Sequence, residues 1–299
     1  MNAAIDDANQ LESLIADLRK WGSEKASIAQ RRATMDRAEQ AFRLPDGVTA
    51  SPWQRNELRG QWLSNAAATD KRTVLYLHGG GYCLGSSRSH RHLAGAVARA
   101  AGANALALDY RLAPEHPFPA GLDDAVDAYA ALLEATPAKQ VVIAGDSAGG
   151  GLTLATFLAA RGRGLPAPGA LVCMSPWLDL TGRPLSQREL ARLDDPVVSF
   201  DDLGELAAPY LNGTPADAPL ASPLFADLNG LPPTLVQVSS DELLFRDSLE
   251  LASRVAGSAL TLEIESSLPH VWQWFWPRLN LGRAAIDRIG AFVDRRLGA

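Results

Sequence analysis

Cysteine is almost missing from this chain: Cys83 and Cys173 are the only two in 299 residues. Two thiols in unrelated segments do not staple a domain of this size, and no C-x-x-C pair or zinc-type spacing is present. Cys173, inside the apolar run ALVCMSPW, reads as a small buried hydrophobe. No apolar stretch reaches the roughly 20 residues that a membrane helix needs, so membrane insertion is not expected. The opening MNAAIDDANQ lacks a basic region followed by an apolar run, so no secretory signal is read there and a cytoplasmic location is expected. Basic excess is lacking too, since 28 Lys and Arg face 34 Asp and Glu for a formal net charge of −6. A chain of that balance gains nothing from counterion release, which argues against DNA or RNA as a partner.

What is present has the texture of a large layered core. Short apolar runs ending in polar or glycine-rich turns recur at 73–79, 103–110, 140–146, 170–176 and 234–240, with amphipathic segments between most of them. Apolar strands alternating with helices predict an α/β fold, a mainly parallel sheet covered on both faces. LTLEIES (260–266) alternates and fits a strand nearer the sheet edge, and 284–298 reads as a closing helix. Before the strands, Leu11, Leu14, Ile15, Leu18 and Trp21 form one helical stripe, and Ile28, Met35 and Phe42 continue helically over 27–42. That arm either lies over the larger core or simply packs at its end. The stretch 178–215 is too long for a plain loop and reads as an inserted helical element with an extended DDPVVS segment.

The chemistry gathers around VVIAGDSAGGGLTLA, residues 141–155. A strand, a glycine-rich turn and a helix serve either a phosphate cradle or a nucleophile. The cradle fails here: no lysine follows the glycines, and the Asp146 carboxylate would repel an anion. Gly145-Asp146-Ser147-Ala148-Gly149 instead fits the G-x-S-x-G elbow, which projects a serine hydroxyl from a sharp strand-to-helix turn. Upstream, the glycine triplet of YLHGGGY (76–82) leaves backbone N–H groups unshielded, as an oxyanion hole requires.

A serine nucleophile needs a base, and the base needs an orienting acid. Of the five histidines, His78 reads as an anchor of the glycine loop, His90 and His92 as surface or helix-start residues, and His116 as part of a proline-stiffened turn. Elbow hydrolases run serine, acid, histidine along the chain. Only His270 follows both the elbow and the last predicted strand. For the acid, the end of TLVQVSSDE offers Asp241 and Glu242; Asp241 is preferred because it comes first past the strand and is shorter and stiffer. Asp247 ranks lower because it falls where a helix is expected.

Together HGGGY, LDYRLAPEHPFPA, GDSAGGG, MSPWLDLT and ASPLFADLNGLPPTLVQVSSDELL resemble the hormone-sensitive-lipase-like family of α/β-hydrolase esterases, from about residue 70 to His270. The resemblance implies a cofactor-free carboxylic-ester hydrolase acting on a small-molecule ester, with Ser147, Asp241 and His270 as its triad. It implies oxyanion donors at the amides of Ala148 and of two glycines among Gly79, Gly80 and Gly81, with Gly80 and Gly81 preferred. It also implies that residues 1–45 and part of 178–215 cap a catalytic domain spanning 46–299. Tyr82, Trp177, Val198, Phe200, Trp272 and Phe275 are candidates for the pocket wall, although the tryptophans after His270 serve equally well as packing for its loop. The family's acid motif is often Asp-Pro-Leu, whereas this chain reads Asp241-Glu242-Leu243-Leu244. DELLFRDS with HVWQ is similar to a bacterial subgroup that includes lactone hydrolases, so lactones join linear esters as substrates to consider. A non-catalytic receptor of the family lacks the histidine, which ranks that reading below an enzyme; an amidase shares the triad chemistry. A homodimer is left open.

Overall fold

The computed structural model describes residues 2–21, 26–68, 71–255, 257 and 259–298, with side chains from residue 6 onward and that of Trp21 excluded. In chain order its elements are α1 (Asn2–Trp21), α2 (Ile28–Asp36), α3 (Ala38–Ala41), β1 (Val48–Arg55), β2 (Leu58–Asn65), β3 (Thr73–Leu77), α4 (Ser87–Ala100), β4 (Asn104–Leu108), α5 (Ala120–Leu132), β5 (Val141–Asp146), α6 (Ala148–Gly162), β6 (Ala170–Met174), α7 (Gln187–Leu190), α8 (Phe200–Leu211), β7 (Thr234–Ser239), α9 (Phe245–Arg254), β8 (Leu260–Glu265) and α10 (Asn280–Leu297).

One eight-stranded sheet runs β1-β2-β4-β3-β5-β6-β7-β8. β3 to β8 pair in parallel, and β1–β2 is an antiparallel hairpin laid against β4. Every residue of β3, β5, β6 and β7 is buried, because their side chains alternate between two covered faces. Leu75, Leu77, Ile143, Leu171 and Cys173 pack under α5 and α6, while Val74, Tyr76, Val142, Val172 and Met174 pack under α4 and α10. Sequence reading locates these strands and places 260–266 at an edge, where β8 lies. It misses the β1–β2 hairpin. That ribbon is largely polar and carries Pro52, which an edge strand tolerates.

The 178–215 stretch falls between β6 and β7 and carries α7 and α8. The N-terminal helices reach it through ion pairs, Arg19 with Asp194 at 2.7 Å and Arg31 with Asp202 at 3.1 Å. The expected helix over 27–42 is broken at Arg37 into α2 and α3. DDPVVS joins no strand: Asp195 instead folds it back by accepting from the Val197 and Val198 amides. Leu14 and Leu18 of the α1 stripe are buried; the Trp21 side chain lies outside the described residues.

Candidate active site

The parallel strands end on one side of the sheet, where the loops collect. β5 stops at Asp146 and α6 begins at Ala148, leaving Ser147 alone on the turn with φ 53° and ψ −122°. A non-glycine residue held at positive φ is strained, and here the strain aims the hydroxyl outward. The two flanking glycines make so sharp a turn possible. A Cβ at Gly145 would run into the Gly149 carbonyl, and one at Gly149 into the Leu77 carbonyl of β3. Gly149→Ala should therefore destabilise the fold by about 1–3 kcal/mol or more through overpacking against rigid backbone, read as a lowered midpoint in urea unfolding.

His270 arrives from the loop after β8. Its Nε2 lies 2.9 Å from Ser147 Oγ, and its Nδ1 lies 3.1 Å from Oε1 of Glu242. Glu242 is buried, and its other oxygen accepts from the Ser175 hydroxyl at 2.7 Å and the Ser239 amide at 3.1 Å. Ser175 Oγ also accepts from the Val271 amide at 3.2 Å, so one hydroxyl ties Glu242 to the loop bearing His270. Burial alone would depress the His270 pKa. The charge and hydrogen bond of Glu242, helped by Asp195 and Asp146, outweigh it and leave the pKa raised above its ordinary value.

The carboxylate against His270 is thus Glu242, and the expectation for Asp241 is corrected. Asp241 turns its Oδ2 toward the Ser267 amide at 2.5 Å and the Ser240 hydroxyl at 3.0 Å. Beyond Ser239 the chain swings toward β8, the Ser240 amide bonding to the Glu265 carbonyl, so the first acid faces that loop. The second faces the sheet end, and its extra methylene spans the distance to Nδ1. Asp247 is indeed helical, on α9. Its buried Oδ2 accepts from the Leu178 and Asp179 amides at 2.9 and 3.0 Å, and burial raises its pKa to about 7.

The glycine triplet follows β3. The Gly79 amide donates to Asp146 Oδ1 at 3.2 Å, whereas the amides of Gly80 and Gly81 have no acceptor among the described residues. Both latter glycines sit at positive φ, 114° and 61°. As the first residue of α6, Ala148 has an amide without an intrahelical acceptor, at the positive end of the helix dipole. Asp146 anchors the loop from below: it accepts from Tyr76 Oη at 2.7 Å and faces His90 Nε2 at 3.4 Å. Burial raises its pKa, but His90 and Tyr76 more than reverse the effect and keep it below the ordinary value.

His78 is buried, stacked on Tyr110 at 4.3 Å, and bonded through Nδ1 to the Gly79 carbonyl at 2.8 Å. Burial pushes its pKa down to about 3, which keeps it neutral. His90 and His92 do open α4, but the expectation of a surface role is overturned because both are buried. One faces Asp146, and the other stacks on Phe42 at 4.6 Å and bonds to the Trp274 carbonyl. His116 is exposed in its turn.

The six wall candidates separate into three pairs. Trp177 and Phe200 line an open cleft between α8 and the start of α9, shared with Leu203, Ala207, Leu244 and Asp247; neither Ser147 nor His270 is among its lining residues. Tyr82 stacks face to face on Tyr210 of α8 at 3.9 Å, and Val198 lies on the strap leading to α8. Trp272 and Phe275 are corrected: they are buried with Leu14, Leu18 and Leu279, where α1 packs over the loop that carries His270.

A family model described as the alpha/beta hydrolase fold matches residues 74–274. The chain is 44% identical over 286 residues to an acetyl-hydrolase of Streptomyces hygroscopicus, covering 93% of each protein. It is 35% identical to LipR, a putative acetyl-hydrolase of Mycobacterium tuberculosis, covering 95% of this chain and 92% of that one. Among solved structures, an esterase from the bacterial hormone-sensitive lipase family superposes with a TM-score of 0.91 at 40% identity, over 97% of this chain and 99% of that one. EstE5, soaked with ethyl alcohol, also gives a TM-score of 0.91, at 39% identity and the same coverage. No helix among the described residues is long and apolar enough to cross a membrane. The chain belongs to the α/β-hydrolase superfamily, within its bacterial hormone-sensitive-lipase-like family of esterases.

Proposed function

We propose that the protein is a serine carboxylesterase working on short-acyl esters by two-step acyl transfer. The observation that carries this reading is the unbroken line from Ser147 Oγ through His270 to Glu242, at 2.9 and 3.1 Å. In it, Ser147 attacks the ester carbonyl while His270 Nε2 takes the hydroxyl proton, and Glu242 stabilises the imidazolium that forms. The Gly80, Gly81 and Ala148 amides receive the oxyanion; a single such donor typically contributes about 3 kcal/mol to lowering the barrier. His270 then returns its proton to the leaving alcohol and activates a water that frees the acid.

α1, α2 and the insertion act as the cap over this site. The acetyl-hydrolase names of two relatives point to small acyl groups. A histidine bonded to the serine favours turnover over a receptor role. Across p-nitrophenyl esters from acetate to dodecanoate, kcat/KM should be highest at two to four carbons, about tenfold or more above the longest chains. A γ-lactone and a matched anilide complete the panel. Preferential opening of the lactone, or faster cleavage of the anilide than of the ester, would replace this reading with one of its rivals.

A further inference from the structure

The turn bearing Glu242 has no proline to stiffen it; it reads Ser240-Asp241-Glu242-Leu243-Leu244. Part of what holds it comes from the insertion. The Asp194 amide donates to the Asp241 carbonyl at 3.0 Å, while the Asp194 carboxylate pairs with Arg19 of α1. The next residue turns inward. Asp195 Oδ1 accepts from the Val197 and Val198 amides at 2.9 and 3.3 Å, and Oδ2 faces the Leu243 amide at 3.5 Å. The charged groups facing it are His270 and Glu242. Burial, joined by the Glu242 charge, leaves the Asp195 pKa above its ordinary value, with His270 and the two valine amides offsetting only part of the rise. The remaining acids acting on His270 are Glu242 itself and Asp146 at the end of β5.

We infer that Asp195 is a positioning residue for the general base: a carboxylate delivered by the insertion that braces the Glu242 turn and adds a second negative charge beside His270. The inference rests on the Ser147–His270–Glu242 reading above. It makes the imidazolium formed during catalysis depend on the insertion being seated, since an insertion that lifts away removes Asp195 along with its brace on the turn. The amides of Val197 and Val198 lessen the cost of holding Asp195 near Glu242, because they satisfy the carboxylate without neutralising it.

Asp195→Asn keeps the shape and removes the charge, whereas Asp195→Glu keeps the charge. With p-nitrophenyl acetate, Asp195→Asn should lower plateau kcat by about three- to tenfold with KM within twofold. Its acid limb should move about half a pH unit lower, because His270 loses a stabilising negative charge. The His270 imidazole titration followed by NMR should shift by the same amount, and Asp195→Glu should restore both values. A fall in kcat with the acid limb and the NMR titration unmoved would overturn the inference, as would an equal shift in Asp195→Glu. Thermal melting shows which variants are folded; should Asp195→Asn not fold, Asp195→Ser carries the same expectation and the same refutation. Turnover that survives Ser147→Ala would instead remove the triad reading itself, so the two failures are distinguishable.

Discussion

Ser147→Ala is expected to lower kcat/KM for p-nitrophenyl acetate by about 10⁴-fold or more, with a thermal melt close to that of the parent. In the proposed mechanism the loss is that large because the hydroxyl forms the acyl bond, while the amides of Gly80, Gly81 and Ala148 polarise the carbonyl but attack nothing. Stability should hold because the turn is fixed by backbone. Ser147 O accepts from the amides of Gly150, Gly151 and Trp177, and its own amide donates to the Met174 carbonyl at 2.8 Å. Alanine keeps all four bonds. Alanine also keeps the Cβ and with it the strain of the positive φ, so the melt is expected to be little changed. Activity within tenfold of the parent would remove Ser147 as nucleophile.

The second large effect separates two neighbouring acids. Glu242→Gln should reduce kcat about 10³- to 10⁴-fold, because an amide at that position no longer compensates the imidazolium and also favours the wrong tautomer of His270. Asp241→Asn should cost less than about tenfold, acting only through the loop contact at Ser267. The pH profile supplies an independent sign. His270 must be neutral to accept a proton, and its pKa lies above the ordinary 6.5, so activity should fall as pH drops through an acid limb above that value. In whatever activity Glu242→Gln retains, that limb should lie lower. A larger loss in Asp241→Asn than in Glu242→Gln would reverse the assignment.

The confusion between these two acids shows where sequence reading stops. Strands β3 to β7 are legible because burial on both faces forces continuous apolar runs, and the elbow is legible because Gly145 and Gly149 meet backbone that no other residue fits. The direction of a side chain at a turn has no such signature. Preferring Asp241 used side-chain stiffness, whereas the outcome depends on which way the chain leaves β7. His90 and His92 look like surface residues because polar residues surround them in SSRSHRHLA; their burial follows from Asp146 and Phe42, far off in sequence. The aromatic cluster WQWFW reads equally well as pocket or packing, and α1 decides the matter for Trp272 and Phe275. Asp195 carries a partial signal: adjacent acids before a proline within an insertion too long for a loop.

The packing of Leu14 and Leu18 on Trp272 has a consequence for biosynthesis. The proposed nucleophile, Ser147, follows β5, whereas the proposed base, His270, lies 123 residues further along the chain. Its loop is packed against α1, which is synthesised before any strand of the sheet. On the proposed mechanism, competence waits until α1 and the His270 loop, made far apart in time, have met. Until then a nascent or truncated product can carry a finished elbow and remain inert.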